Sequence, residues 1–140
     1  MQIHVHYSLD SGAFDPIHNY AEDAGTDLCC MEDVTVPAFG SVCVDTGTHM
    51  RIPVGYGGLL VSKSGLNVVY EMTSTGLIDA GFTGSIKVRI YNMSDEDYQF
   101  KAGDKITQIV FIKIGLPELV KVSQIDGGER GDNGYGSTGR

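Results

Sequence analysis

Apolar and polar residues alternate along much of this chain at the two-residue period of a half-buried β-strand. Ile86-Lys87-Val88-Arg89-Ile90-Tyr91-Asn92 is the sharpest case, with Ile86, Val88 and Ile90 on one face and Lys87, Arg89 and Tyr91 on the other. Ser41 to Thr46 sets Val42 and Val44 against Cys43 and Asp45, and Gln2 to Tyr7 sets Ile3, Val5 and Tyr7 against two histidines. Ile106 to Ile114 is the longest strand candidate, apolar on both sides apart from Thr107, Gln108 and Lys113. Shorter strands are predicted at Thr26 to Met31, Leu59 to Val61 and Glu118 to Ile125, with a turn-rich loop at Ser8 to Tyr20. Residues from Met50 to Gly58, Asp95 to Asp97 and Lys101 to Asp104 read as turns. Asn67 to Tyr70 has room for one or two helical turns, and no longer 3.6-residue period exists. Many short strands separated by Gly and Pro turns predict an all-β sandwich or barrel with at most one short helix.

The pattern stops at Asp126. Of the fifteen residues from there to Arg140, six are glycine and none is aliphatic. Such a segment cannot bury a core, so residues 1–125 are expected to form one β domain and 126–140 a mobile glycine-rich arm.

Composition narrows the function. The chain has 140 residues and a formal charge of −8, a surface that repels polyanions and excludes general nucleic-acid binding. No apolar run approaches the roughly 20 residues needed to cross a bilayer, so no membrane partner is expected. The first residues carry neither the basic region nor the apolar stretch of a signal peptide, which points to a cytoplasmic protein. Cys29, Cys30 and Cys43 are odd in number and lack Cys-x-x-Cys spacing; they are expected as small buried hydrophobes rather than a disulfide or zinc framework. His4 and His6 share a strand face and are expected at a solvated edge.

Three stretches carry candidate chemistry. Gly76-Leu77-Ile78-Asp79-Ala80-Gly81-Phe82-Thr83-Gly84 is a hairpin in which glycines bracket one acid and one aromatic ring. Glycine at that density lets a ligand approach the backbone, and an aspartate beside Leu77 and Ile78 is expected to be partly desolvated, as suits a base. Lys63-Ser64-Gly65 at a strand end is an anion cradle. The arm, from Arg130 through Tyr135 and Gly136 to Ser137 and Thr138, has the parts of a phosphate clamp: a cation, backbone N–H groups, a stacking ring and two hydroxyls. Gln108, an amide on a largely apolar strand, needs either an internal partner or a ligand. Walker and Rossmann fingerprints are absent, and no Cys or His is arranged as a nucleophile with its base.

These stretches occur in the order of a known family. Ala24-Gly25-Thr26-Asp27-Leu28, Lys63-Ser64-Gly65-Leu66, Gly76 to Gly84, Gly103-Asp104-Lys105-Ile106-Thr107-Gln108 and Arg130 to Gly139 resemble the five motifs of the trimeric dUTP pyrophosphatases. The resemblance runs from about residue 21 to the chain end. It implies a distorted β jelly roll that assembles as a homotrimer with shared active sites, and Mg²⁺-dependent hydrolysis of dUTP to dUMP and pyrophosphate. Carried over by matching position, Asp79 would deprotonate the water that attacks the α-phosphorus, and Phe82 would pack on the deoxyribose. Backbone from Thr73 through Gly76 to Ile78 would read uracil. Lys63, Ser64, Gly65 and Gln108 would bind phosphates, and Asp27 would hold Mg²⁺ through water. Arg130, Gly136, Ser137 and Thr138 would close over the nucleotide, with Tyr135 stacked on the base.

The chain departs from the family in four places. Lys63 stands where Arg is usual, turning a bidentate fork into a point charge. Phe82 replaces a usual Tyr, Asn133 a usual Gly and Tyr135 a usual Phe. Two alternatives stay open: a nucleotide-gated regulatory trimer acting on an unidentified protein partner, and a dCTP deaminase. The hairpin is close to the deaminase version, but those enzymes need a glutamate where this chain has Arg89, and a guanidinium cannot shuttle protons.

Overall fold

The computed structural model describes residues 2–136, 138 and 139. Ten strands and one short helix follow in chain order: β1 (His6–Leu9), β2 (Gly25–Cys29), β3 (Val34–Val36), β4 (Ser41–Asp45), β5 (Thr48–Arg51), β6 (Tyr56–Val61), α1 (Ser64–Tyr70), β7 (Met72–Ile78), β8 (Lys87–Asn92), β9 (Tyr98–Phe100) and β10 (Lys105–Lys113). Six of them form one antiparallel sheet in the order β2-β10-β6-β7-β8-β4, while β1 pairs with β5 and β3 with β9. The predicted all-β class with a single short helix matches this architecture.

The strand periods do the packing that they predict. β8 buries Val88, Ile90 and Asn92 and exposes Lys87, Arg89 and Tyr91. Beneath the sheet, Leu28, Ile52, Leu60, Met72, Ile86, Phe100, Ile106 and Ile109 are almost wholly removed from water. Each such side chain contributes about 1.5–3 kcal/mol of transfer free energy. Among the described residues, the buried polar side chains inside this shell are paired apart from the Thr48 hydroxyl. Asn92 uses its whole amide, donating to the carbonyls of Val36 and Glu96 and accepting from the N–H and hydroxyl of Ser94. Ser74 and Thr107 join β7 to β10 by a hydroxyl contact of 2.9 Å, and Thr107 also donates to the Val61 carbonyl.

Four elements and one cysteine differ from the sequence pattern. The first strand is His6–Leu9 rather than Gln2 to Tyr7, because its partner β5 pairs His6 with Arg51 and Leu9 with Thr48. β5 itself lies at the start of a stretch that reads as a turn. The helix begins at Ser64, three residues before Asn67, and ends where Glu71 takes a left-handed φ of 55° and donates its N–H to the Leu66 carbonyl. Glu118 to Ile125 is not a strand. It runs out from the domain without a sheet neighbour, leaving Leu116, Leu119, Val120, Val122 and Ile125 exposed. Cys29 and Cys30 are buried as expected, whereas Cys43 is exposed on the outer face of β4.

Candidate active site

Asp27 is the centre of the first constellation. It lies on β2 directly opposite Gln108 of β10, and its backbone exchanges both hydrogen bonds with Ile17. Its side chain is only 3% exposed, yet three donors converge on it. The Lys63 ammonium is 2.5 Å from one carboxylate oxygen, while the Asn19 amide and the Lys105 ammonium lie 2.9 and 3.3 Å from the other. Lys105 also donates to the Asn19 side-chain oxygen. Burial opposes ionisation of Asp27, but the bonds from Lys63, Asn19 and Lys105 outweigh it and hold the carboxyl below its ordinary range. The result is a desolvated carboxylate flanked by two partly exposed lysines, a sheet edge with one positive charge in excess.

Gln108 completes this edge. Its amide donates to the Ser62 carbonyl at 3.1 Å. Its side-chain oxygen lies over Gly25, where a Cβ would sit 2.0 Å from it. Gly25 is therefore required by the packing of Gln108, a physical reason for glycine two residues before Asp27. Ser64 and Gly65 open α1 just after Lys63 and face solvent.

The second constellation is the β7–β8 hairpin. The strands pair from Met72 opposite Asn92 to Thr75 opposite Arg89, and the loop beyond carries Asp79 and Phe82. The Phe82 N–H donates to the Asp79 carbonyl, closing a turn. The Phe82 ring folds back over Gly84, where a Cβ would come within 2.7 Å of it, and it borders a hollow shared with Asp45, Ile78, Ser85 and Lys87. Asp79 is exposed, so the single chain does not supply the desolvation that its apolar neighbours suggest. Thr73 lies near Ser62, at the Lys63 end of β7, while Ile78 pairs with Gly58 at the other end. Ser74, Gly76 and Ile78 alternate with the exposed Thr73, Thr75 and Leu77.

Register keeps the two constellations apart within one chain. Ile78 stands opposite Gly58 and Thr75 opposite Val61. Three residues of strand, about 10 Å, separate Gly58 from Val61. Asp79 lies beyond one end of that span and Lys63 beyond the other.

The described residues of the arm are exposed apart from the half-buried Gly134. Arg130 donates to the Asn133 carbonyl within a local turn, and Tyr135 is fully exposed with a φ of 39°. Gly136 and Thr138 are exposed as well, and Ser137 lies outside the described residues. Sequence reasoning missed Asn19, which sits in the loop before β2, and gave Lys105 no role although it lies inside the fourth motif. Neither has a spacing signal; both are brought to Asp27 by the sheet.

Comparison with known proteins bears on the chain as a whole. The dUTPase family profile matches residues 13–139. A deoxyuridine 5'-triphosphate nucleotidohydrolase of Paramecium bursaria Chlorella virus 1 is 36% identical over 132 residues, 94% of each chain. Its counterpart in Candida albicans is 38% identical over 128 residues, 89% of this chain and 80% of the relative. Among solved structures, a dUTPase of Staphylococcus bacteriophage 80alpha with dUPNHPP superposes with a TM-score of 0.89 at 28% identity, covering 99% of this chain and 100% of that one. The chain belongs to the dUTPase family, and its curled sheet is the distorted jelly roll of that fold.

Proposed function

We propose that this chain hydrolyses dUTP to dUMP and pyrophosphate at a site assembled from neighbouring copies, with Asp79 as the base that activates water. Hydrolysis of dUTP follows from membership of the family. The observation that carries the shared site is the register: the cationic edge at Asp27, Lys63, Lys105 and Gln108 and the hairpin at Asp79 lie beyond opposite ends of the β6–β7 pairing. A site that needs both groups is completed when the hairpin of one copy meets the cationic edge of another. Homotrimeric assembly, the state the motif resemblance implies, provides that geometry.

Within such a site each side chain has a distinct task. Asp79 takes the proton from a water aimed at the α-phosphorus. The Phe82 ring packs against deoxyribose and leaves no room for a 2′-hydroxyl, while backbone between Thr73 and Ile78 reads uracil. Lys63, Ser64, Gly65 and Gln108 hold phosphate oxygens, and Lys105 adds a second cation. The arm folds over the nucleotide through Arg130, Ser137 and Thr138, with Tyr135 stacked on the base, and so excludes water. The same reading has the protein act in the cytoplasm.

Mg²⁺ fits as a passenger on the substrate. Both Asp27 oxygens are already engaged, and no group of three or more His, Cys, Asp or Glu suited to a metal exists among the described residues. A cation held chiefly by triphosphate oxygens and water, with Asp27 contacting that water, suits this donor set. A dUTPase of phage phi11, 29% identical, is described as coordinating a structural Mg(II) ion. Bound there, the ion would supply charge neutralisation to the phosphates.

A second reading, regulation of a protein partner, is favoured by one observation: the 80alpha structure is described in terms of phage dUTPases that control transfer of virulence genes. The deaminase reading is opposed by Arg89, which lies on the exposed face of β8 and donates to the Ser41 hydroxyl. One experiment separates all three. A panel of dUTP, dCTP, UTP and dTTP, assayed together for pyrophosphate and ammonia with and without Mg²⁺, should give pyrophosphate from dUTP alone. Ammonia from dCTP would establish a deaminase instead, and silence on every nucleotide would leave a binding protein, to be pursued by pull-down with and without dUTP.

A further inference from the structure

One side chain outside both constellations ties the hairpin loop to the body of the domain. His49 lies on β5, opposite Ser8 of β1. Its Nδ1 is 2.7 Å from the carbonyl oxygen of Thr83, the residue after Phe82, and its Nε2 is 2.9 Å from the carboxylate of Asp10. A carbonyl and an ionised carboxylate only accept hydrogen bonds, so both ring nitrogens must donate. An imidazole can do that only as the imidazolium. Each end of the bridge is anchored. The Asp10 N–H donates to the Gly47 carbonyl at 2.8 Å, and the Phe82 N–H donates to the Asp79 carbonyl at 3.0 Å.

The charged surroundings favour the same state. The Thr83 carbonyl, then the Asp10 carboxylate, hold the His49 pKa above its ordinary value against the smaller opposing effect of burial, and Asp45 adds to the rise. Asp45 is itself fixed by the Ser85 hydroxyl and the Gly47 N–H, and it pairs in register with Lys87 of β8. From β1 and β5, His6 and Arg51 line the hollow that His49 shares with Thr83.

We propose that His49 in its protonated form is a positioning residue that fixes the Asp79–Phe82 loop through Thr83, so that dUTP hydrolysis weakens on the alkaline side as the Thr83–His49–Asp10 bridge comes apart. This inference rests on the reading of Asp79 and Phe82 given above. The sign follows from the raised pKa: the bridge is complete below about pH 6.5, and its contribution is lost as pH rises through the folded-state value. On deprotonation, one nitrogen turns a lone pair toward an acceptor, and that bond becomes a repulsion.

Asp10→Asn provides the discriminating variant. An asparagine amide can donate to Nε2 of neutral imidazole while Nδ1–H still bonds Thr83, so the bridge survives without the proton. The test is the pH dependence of kcat and KM for dUTP between pH 6 and 9.5 in the wild type, Asp10→Asn and His49→Gln, with ¹⁵N NMR of the His49 ring on the full chain. Expected are two protonated ring nitrogens at pH 6, an alkaline loss of about fivefold in wild-type kcat/KM, and a profile flattened over that limb in Asp10→Asn. His49→Gln should sit at the lower, alkaline level throughout. A ring with one protonated nitrogen at pH 6 overturns the inference, as do three superimposable profiles. A folded wild type that hydrolyses no dUTP at any pH instead overturns the functional reading itself.

Discussion

The Asp27 cluster and the Asp79 loop are both acidic centres of one sheet, and they are built to opposite plans. Asp27 is buried, and its charge is matched within the chain by Lys63, Lys105 and Asn19. Asp79 is exposed, on a loop tied by its own turn, by the His49 bridge at Thr83 and by the bonds of Ser85 and Ile86 to Asp45, Thr46 and Thr48. The first is finished on folding; the second is left open to solvent within one chain. On the proposed reading, electrostatic preorganisation would lie where phosphate charge is met, and the proposed base would stay in water until substrate arrives. This division suits a reaction whose demands are positioning and neutralisation.

Four changes break or sharpen that contrast. Asp79→Asn should leave thermal stability unaltered and lower kcat by roughly 10³-fold, since it removes a general base; steady-state assays beside a melting curve check both halves. Deleting residues 126–140 should lower kcat/KM by about 100-fold while circular dichroism stays that of the intact domain, because the arm adds no buried core. A fully active truncation would refute the lid.

Asp27→Asn, unlike Asp79→Asn, should cost about 2 kcal/mol of folding stability, as it leaves two lysines around a neutral amide. The Asp27 carboxyl titrates below its ordinary value of 3.8 in the folded chain, so its contribution is present above that pH and is lost as pH falls through the folded-state value. Urea titrations should therefore find wild type and variant well separated at pH 7 and converging only as pH falls through the lowered folded-state value. The smallest effect belongs to Lys63→Arg, which restores a bidentate fork. KM for dUTP should fall about two- to fivefold with kcat little changed, and a rise in KM would show that the Lys63–Asp27 pair is matched to an ammonium.

How far all this was legible in the chain itself depends on sequence distance. β8 and β10 announce themselves because each strand's period lies within one window, and Asp79, Phe82 and Gly84 act within six residues. Asp27 was visible as a motif residue, but its partners at 19, 63 and 105 come from three separate elements. No local pattern predicts that a lysine, rather than solvent, meets that carboxylate. Strand pairing has the same property. Glu118 to Ile125 has the apolar content of a strand, but a strand also needs a neighbour to take its N–H and C=O groups. Thr48 to Arg51 looked like the approach to a turn and became a strand because β1 lies beside it. The His49 bridge spans residues 10, 49 and 83, and nothing in the sequence joins them.

The segment after β10 carries five large apolar side chains in open water, with Leu119 92% and Ile125 82% exposed. Copies of the chain that covered this strap would stabilise the folded state by mass action. The melting midpoint should then climb with protein concentration, and dilution alone, with no denaturant, should make the domain easier to unfold.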